Sequence, residues 1–177
     1  MTSHARVVAD LVRTVPDFPS PGVLFSDIAP VLADPAGLAA AVHAMAEAVP
    51  GPIDAVVGVE ARGFILGAPV ALALGCGFVP VRKPGKLPGA LVSHSYALEY
   101  GESSLTMQVD ALPPGARVWI VDDVLATGGT VVATADLVRQ VGGVTVGVGV
   151  LLELPDLGGR DRIVGAGLGP VCSVVTS

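Results

Sequence analysis

Val118-Trp119-Ile120-Val121-Asp122-Asp123-Val124-Leu125-Ala126-Thr127-Gly128-Gly129-Thr130 is the stretch on which the reading of this chain turns. Four apolar residues end in two adjacent carboxylates. A loop of Thr and Gly then opens a helical pattern near 129–141, which Gly142-Gly143 stops. Glycines let backbone N–H groups approach an anion closely, and the first turn of a helix adds a positive dipole. The hydroxyls of Thr127 and Thr130 add donors, so the loop reads as a phosphate cradle. Asp122 and Asp123 would repel phosphate and suit ribose hydroxyls or a hydrated Mg²⁺. A phosphate on one side and a polyol on the other describe a sugar phosphate. No Gly-Lys-Ser/Thr follows, which excludes a Walker A loop, and there is no G-x-G-x-x-G opening a helix. Gly165-Ala166-Gly167-Leu168-Gly169 has glycines at similar intervals but no helix pattern after it.

Outward from this stretch the pattern alternates. Ala55 to Val59 reads as a buried strand, followed by a helix near 63–74. Phe78 to Val81, Val144 to Leu152 and Val171 to Val174 read as further strands. Apolar strands alternating with helices predict an α/β fold: a parallel twisted sheet with helices on both faces. Ligands of such sheets sit beyond the carboxyl ends of the strands, where Asp122 and Asp123 fall. Toward the N-terminus, residues 2–14 read as a helix with Val7, Val8, Leu11 and Val12 on its apolar face. Pro16 to Gly22 is irregular and Val23 to Ile28 extended. Asp34-Pro35 opens a helix running to about Val49.

The 177 residues suit one domain, 1–177, and 51% hydrophobic with 15% charged residues is a globular composition. Aromatics at 4% leave the core to Val, Leu, Ala and Ile. A formal charge of −6 argues against nucleic acid as a partner. Cys76 and Cys172 read as buried free thiols, and His4, His43 and His94 lack metal-ligand spacing. The charge-free run Gly63–Val81 spans 19 residues, but its four glycines and two prolines break it into helix, turn and strand rather than a membrane span. With no signal-peptide pattern at the N-terminus, a cytoplasmic location is expected. Arg62, Arg82, Lys83 and Lys86 cluster together, and the chain has no lysine besides these two. Such a cluster beside Pro and Gly is a candidate anion site.

Val121 to Thr130 resembles the phosphoribosyl-pyrophosphate (PRPP) binding motif of type I phosphoribosyltransferases. Phe18 to Pro30, Glu60-Ala61-Arg62-Gly63-Phe64, Arg82-Lys83-Pro84-Gly85-Lys86-Leu87-Pro88-Gly89 and Tyr96-Ala97-Leu98-Glu99-Tyr100-Gly101 narrow the resemblance to the adenine-specific members. Together they span about residues 15–145 in the family's order, with the last thirty residues matching loosely. The resemblance implies transfer of a phosphoribosyl group from PRPP to adenine, giving AMP and pyrophosphate, in a homodimer with Mg²⁺ carried by PRPP and held directly by no side chain. It places the 5′-phosphate on Ala126, Thr127, Gly128, Gly129 and Thr130, and the ribose hydroxyls on Asp122 and Asp123. Glu60, Ala61, Arg62 and Gly63 become the pyrophosphate loop, with a non-proline cis peptide at Glu60–Ala61. Arg82, reaching across the dimer interface, and Lys86 meet the pyrophosphate. Residues of about 91–106 become a mobile flap carrying Glu99, nearest the reacting purine nitrogen, and Tyr100, which closes the site. About 1–34 form a hood that reads adenine through Phe25 and the backbone of Leu24 and Ser26. Phe25 reads equally well as a core residue, and Ser26 stands where many relatives carry a longer basic side chain.

Two other readings share the fold. A phosphoribosyltransferase for another base, such as xanthine, would keep the PRPP site. The acid that 6-oxopurine enzymes place in the phosphate loop is here Ala126. A PRPP-sensing regulator without turnover would need a DNA-binding extension or a basic face, which this acidic chain does not show.

Overall fold

The computed structural model describes residues 2–97 and 102–177. In chain order the elements are α1 (Ser3–Leu11), β1 (Arg13–Pro16), β2 (Leu24–Asp27), α2 (Ala29–Ala33), α3 (Pro35–Glu47), β3 (Ala55–Val59), α4 (Arg62–Leu74), β4 (Gly77–Val81), β5 (Leu91–Ala97) and β6 (Glu102–Gln108). They continue with β7 (Arg117–Leu125), α5 (Gly129–Gln140), β8 (Val144–Glu153), a short 3₁₀ turn, α6 (Gly159–Gly165) and β9 (Val171–Thr176).

Five strands form one parallel sheet in the order β4-β3-β7-β8-β9. All five residues of β3 are buried, as a strand covered on both faces requires. The alternation of side chains along β7 divides the core. Val118 and Ile120 face Val131, Leu137 and Val138 of α5. Trp119 and Val121 belong to the opposite layer with Val8, Met45, Leu66 and Val70 from α1, α3 and α4. Trp119 is fully buried, and β8 makes room for its ring by carrying glycine. A Cβ on Gly149 would stand 2.7 Å from the Trp119 indole nitrogen. The helix ends carry the expected local chemistry. The Asp34 carboxylate accepts from Gly37 N–H at 2.7 Å, and Gly75 closes α4 at φ +68°.

Several boundaries differ from the sequence expectation. The first helix stops at Leu11, because Arg13–Pro16 pairs antiparallel with Leu24–Asp27 and takes Val12 into extended backbone. The helix buries Ala5 and Val8 and leaves Val7 39% exposed. α2 and α6, of five and seven residues, are too short to leave a helical period in the sequence. β7 runs on through the paired acids to Leu125 because β8 pairs with it as far as Glu153. The expected flap segment is the β5–β6 hairpin, whose foot is anchored by buried Leu105 and Met107. Cys76 and Cys172 are free but only half-buried. Among the described residues no helix is long and apolar enough to cross a membrane.

Candidate active site

The carboxyl ends of β3, β4 and β7 and the start of α5 converge on one crevice. Asp122 and Asp123 stand near the end of β7, each 8% exposed. The Asp122 Oδ1 accepts from the Asp123 N–H at 2.9 Å. Burial, with the Asp123 carboxylate beside it, pushes the Asp122 carboxyl well above the usual carboxylate range. Asp123 is compensated from outside: Arg62 Nε lies 2.7 Å from its Oδ2, an ion pair rather than a directed hydrogen bond. Just beyond, Ala126 to Gly128 turn the chain and Gly129 and Thr130 begin α5. Asp122 and residues 124–131 enclose a small concavity of about 60 Å³. Gly128 has φ +75°, and a Cβ there would meet the Gly159 carbonyl at 2.9 Å. Position 128 therefore demands glycine for both conformation and space.

Glu60, Ala61, Arg62 and Gly63 follow β3, with a cis peptide between Glu60 and Ala61 as the resemblance implied. Gly63 brings this loop onto β7, since a Cβ there would stand 2.9 Å from the Val121 carbonyl and 3.1 Å from Asp122 Oδ1. The cationic cluster is organised by Glu60. Lys86 Nζ lies 2.6 Å from Oε1, and Arg82 Nε 3.3 Å and the Lys83 N–H 3.0 Å from Oε2. Lys86 above all, then the Lys83 N–H and Arg82, hold the Glu60 carboxyl down to about 2 against the opposing effect of burial. The Arg82 guanidinium also lies 5.9 Å from the Phe64 ring centre. Arg82, which follows β4, thus folds onto Glu60, which follows β3 of the same chain.

The hood residues form a separate recess. Val15, Phe18, Phe25 and Asp27 line a cavity of about 240 Å³ on the β1–β2 hairpin. The Phe18 and Phe25 rings meet edge to face, 4.9 Å apart and inclined at 68°. Phe25 is half-buried and packs outside both core clusters, so the structure separates it from the core. Leu24 is 73% exposed. The Ala29 N–H, and then Arg13, hold the Asp27 carboxyl below its ordinary value. Ser26 Oγ lies 2.8 Å from Ser177 Oγ, joining the hood to the C-terminus. Behind that contact, buried Glu153 binds Arg160 and Ser173 and ties β8 to β9.

The structure thus brings Asp122, Asp123, Ala126–Thr130, Glu60–Gly63, Arg82 and Lys86 to one end of the sheet. Leu24, Phe25 and Ser26 lie on the β1–β2 hairpin, which meets Ser177 through Ser26. Glu99 and Tyr100 lie outside the described residues. Sequence reasoning missed Phe18 and Asp27 as lining residues, although two of the chain's four phenylalanines sit in this short segment. It also missed Ser177, for which no sequence signal exists. Tyr96 and Arg162 are further additions: both side chains lie against Gly129, within 3.4 Å of where its Cβ would be.

Known proteins share this fold. The "Phosphoribosyl transferase domain" family matches residues 26–164. The adenine phosphoribosyltransferase of Cutibacterium acnes is 57% identical over 176 residues, covering 99% of each chain. The crystal structure of adenine phosphoribosyltransferase from Thermoanaerobacter pseudethanolicus superposes with a TM-score of 0.91 at 44% identity, covering 98% of this chain and 99% of that one. The Saccharomyces cerevisiae enzyme, solved with an iminoaltritol bisphosphate and adenine, superposes with a TM-score of 0.91 at 39% identity, covering 99% and 100%.

Proposed function

The chain belongs to the adenine phosphoribosyltransferases, and from that premise we propose that it moves the 5-phosphoribosyl group of PRPP onto adenine, releasing AMP and pyrophosphate. The observation that carries this reading is the meeting of three sites at one sheet end: a phosphate loop, a paired-acid sugar site and a cationic loop. A relative of the same fold binds adenine together with a sugar-like bisphosphate, a ligand pair of the same chemistry.

In this reading the N–H groups and hydroxyls of Ala126–Thr130 hold the 5′-phosphate. Asp122 and Asp123 accept hydrogen bonds from the ribose hydroxyls, with Arg62 keeping Asp123 oriented. Lys86 and Arg82, pre-positioned by Glu60, turn to the pyrophosphate as it departs. The ribosyl centre becomes cation-like during transfer, and the protein's work is to align the reactants and stabilise the leaving anion. Phe25 and Phe18 offer faces and edges to the purine. Glu99 is assigned to the purine nitrogen and Tyr100 to closing the site.

Mg²⁺ would arrive on PRPP and share the pyrophosphate charge. The donor set fits that role, because one acid is buried with its carboxyl pushed up and the other faces Arg62. Among the described residues no cluster of three metal-binding side chains exists. The reading comprises one domain with a hood near 1–34 and a flap near 91–106, in a cytoplasmic homodimer. Ile65 and Leu72, 48% and 81% exposed on α4, offer an apolar face for a second copy.

Purified protein with PRPP and Mg²⁺, offered adenine, hypoxanthine, guanine, xanthine and orotate separately, tests the reading. AMP from adenine alone is expected. Nucleotide from another base would overturn the base assignment, and PRPP binding with no product from any base would favour a sensor.

A further inference from the structure

Strand β5 alternates along its length. Val92, His94 and Tyr96 are half-buried, whereas Ser93 and Ser95 are exposed. The inward set meets α5. Val92 packs on the core cluster to which Val131 and Ala135 belong. His94 Nε2 lies 3.5 Å from Asp136 Oδ2, and Asp136 also holds Arg139. The Tyr96 hydroxyl lies 3.1 Å from Thr130 Oγ1. Its ring lies over Gly129, whose Cβ would touch Tyr96 Cδ2 at 3.4 Å. The last inward contact of the strand therefore falls within the phosphate loop rather than on the body of the helix.

A threonine hydroxyl has one hydrogen to donate and two lone pairs. If Thr130 gave that hydrogen to Tyr96, it would offer an incoming phosphate only lone pairs. If Tyr96 donates instead, the Thr130 hydrogen is free to point into the loop, and the chain of two hydroxyls strengthens each bond. A phosphate acceptor selects the second arrangement. We infer that Tyr96 is a positioning residue for the 5′-phosphate, directing the Thr130 hydroxyl into the loop and fastening β5 to it. The inference rests on the sugar-phosphate reading of the loop and adds to it a side chain from outside the loop.

Tyr96→Phe keeps the ring on Gly129 and removes only the hydroxyl, which separates positioning from packing. Calorimetric titration with ribose 5-phosphate is expected to show a dissociation constant raised about three- to tenfold, the range of one net hydrogen bond. KM for PRPP should rise alongside, with KM for adenine and the thermal midpoint unchanged. In a Thr130→Ala background the same substitution should add nothing, because the partner is gone. His94→Gln, which touches α5 further from the loop, should bind ribose 5-phosphate as the unaltered chain does. Wild-type affinity in Tyr96→Phe, or independent addition of the two changes, would overturn the inference. Failure of the unaltered chain to bind ribose 5-phosphate would instead overturn the reading of the loop, and this inference with it.

Discussion

At the centre of the sheet Asp122 is walled in by β3 and β8 and faces a second acid. One strand away, Glu60 faces two cations and a backbone N–H. Burial and like charge push the first carboxyl up, whereas Lys86, Lys83 N–H and Arg82 hold the second near 2. Both serve one crevice, yet their roles differ. Asp122 is under-compensated, Asp123 is met by Arg62, and in the proposed function both accept hydrogen bonds from the sugar. Glu60 is fully compensated, so in the proposed function pyrophosphate competes with it for Lys86 and Arg82. One end of the crevice is therefore a poised acceptor, and the other is a cation store held in place by an internal anion.

Removing both acceptors should break the comparison most severely. Asp122→Asn with Asp123→Asn replaces acceptors of sugar hydroxyls by amides. At about 1.5–3 kcal/mol for each hydrogen bond to a charged group, kcat/KM for PRPP should fall on the order of a thousandfold. Steady-state kinetics in varied PRPP checks this, and a loss below about tenfold would move the ribose elsewhere. Lys86→Ala comes next. It should weaken pyrophosphate product inhibition about ten- to a hundredfold, the worth of one charge-assisted contact. Glu60→Gln should act oppositely, tightening pyrophosphate inhibition because the store is released. If both variants weaken it equally, Glu60 is a binding residue rather than a counter-ion.

The hood responds more weakly because it lies on an exposed hairpin. Phe25→Leu retains bulk and loses the ring, so KM for adenine should rise about three- to tenfold, the worth of an aromatic contact. KM for PRPP should not move. A change confined to thermal stability would return Phe25 to packing.

What could be read in the sequence follows the same division. The phosphate loop, the paired acids and the helix they open are one contiguous stretch, so local chemistry identifies them. The Asp34 cap and the Gly75 stop are likewise local. The bond between Lys86 and Glu60 joins residues 26 apart, and a basic cluster alone does not say what neutralises it. Ser26 meets Ser177 across 151 residues, beyond any pattern. Val12 obeys a helical period, but pairing of Arg13–Pro16 with Leu24–Asp27 overrides it. The proposed anion site is encoded locally, whereas the proposed base site depends on how distant segments pack.

The smallest effects are on stability, and they should differ in sign. Asp122 has a folded-state pKa above its ordinary 3.8, so the folded chain holds that proton more tightly than the unfolded chain. The associated stability is complete below 3.8 and is lost as pH rises through the folded value. An amide cannot ionise, so Asp122→Asn should be more stable than the parent at mildly alkaline pH while losing activity, with the difference closing in acid. Glu60 is depressed, so its contribution is present above 4.5 and is lost as pH falls toward about 2. Glu60→Gln should be less stable than the parent at neutral pH and converge with it in strong acid. Solvent reaches this ion pair, which keeps the effect small. Urea unfolding of the two variants and the parent across acid, neutral and alkaline pH reads both slopes. Slopes of the same sign would show that the two carboxylates share one environment after all.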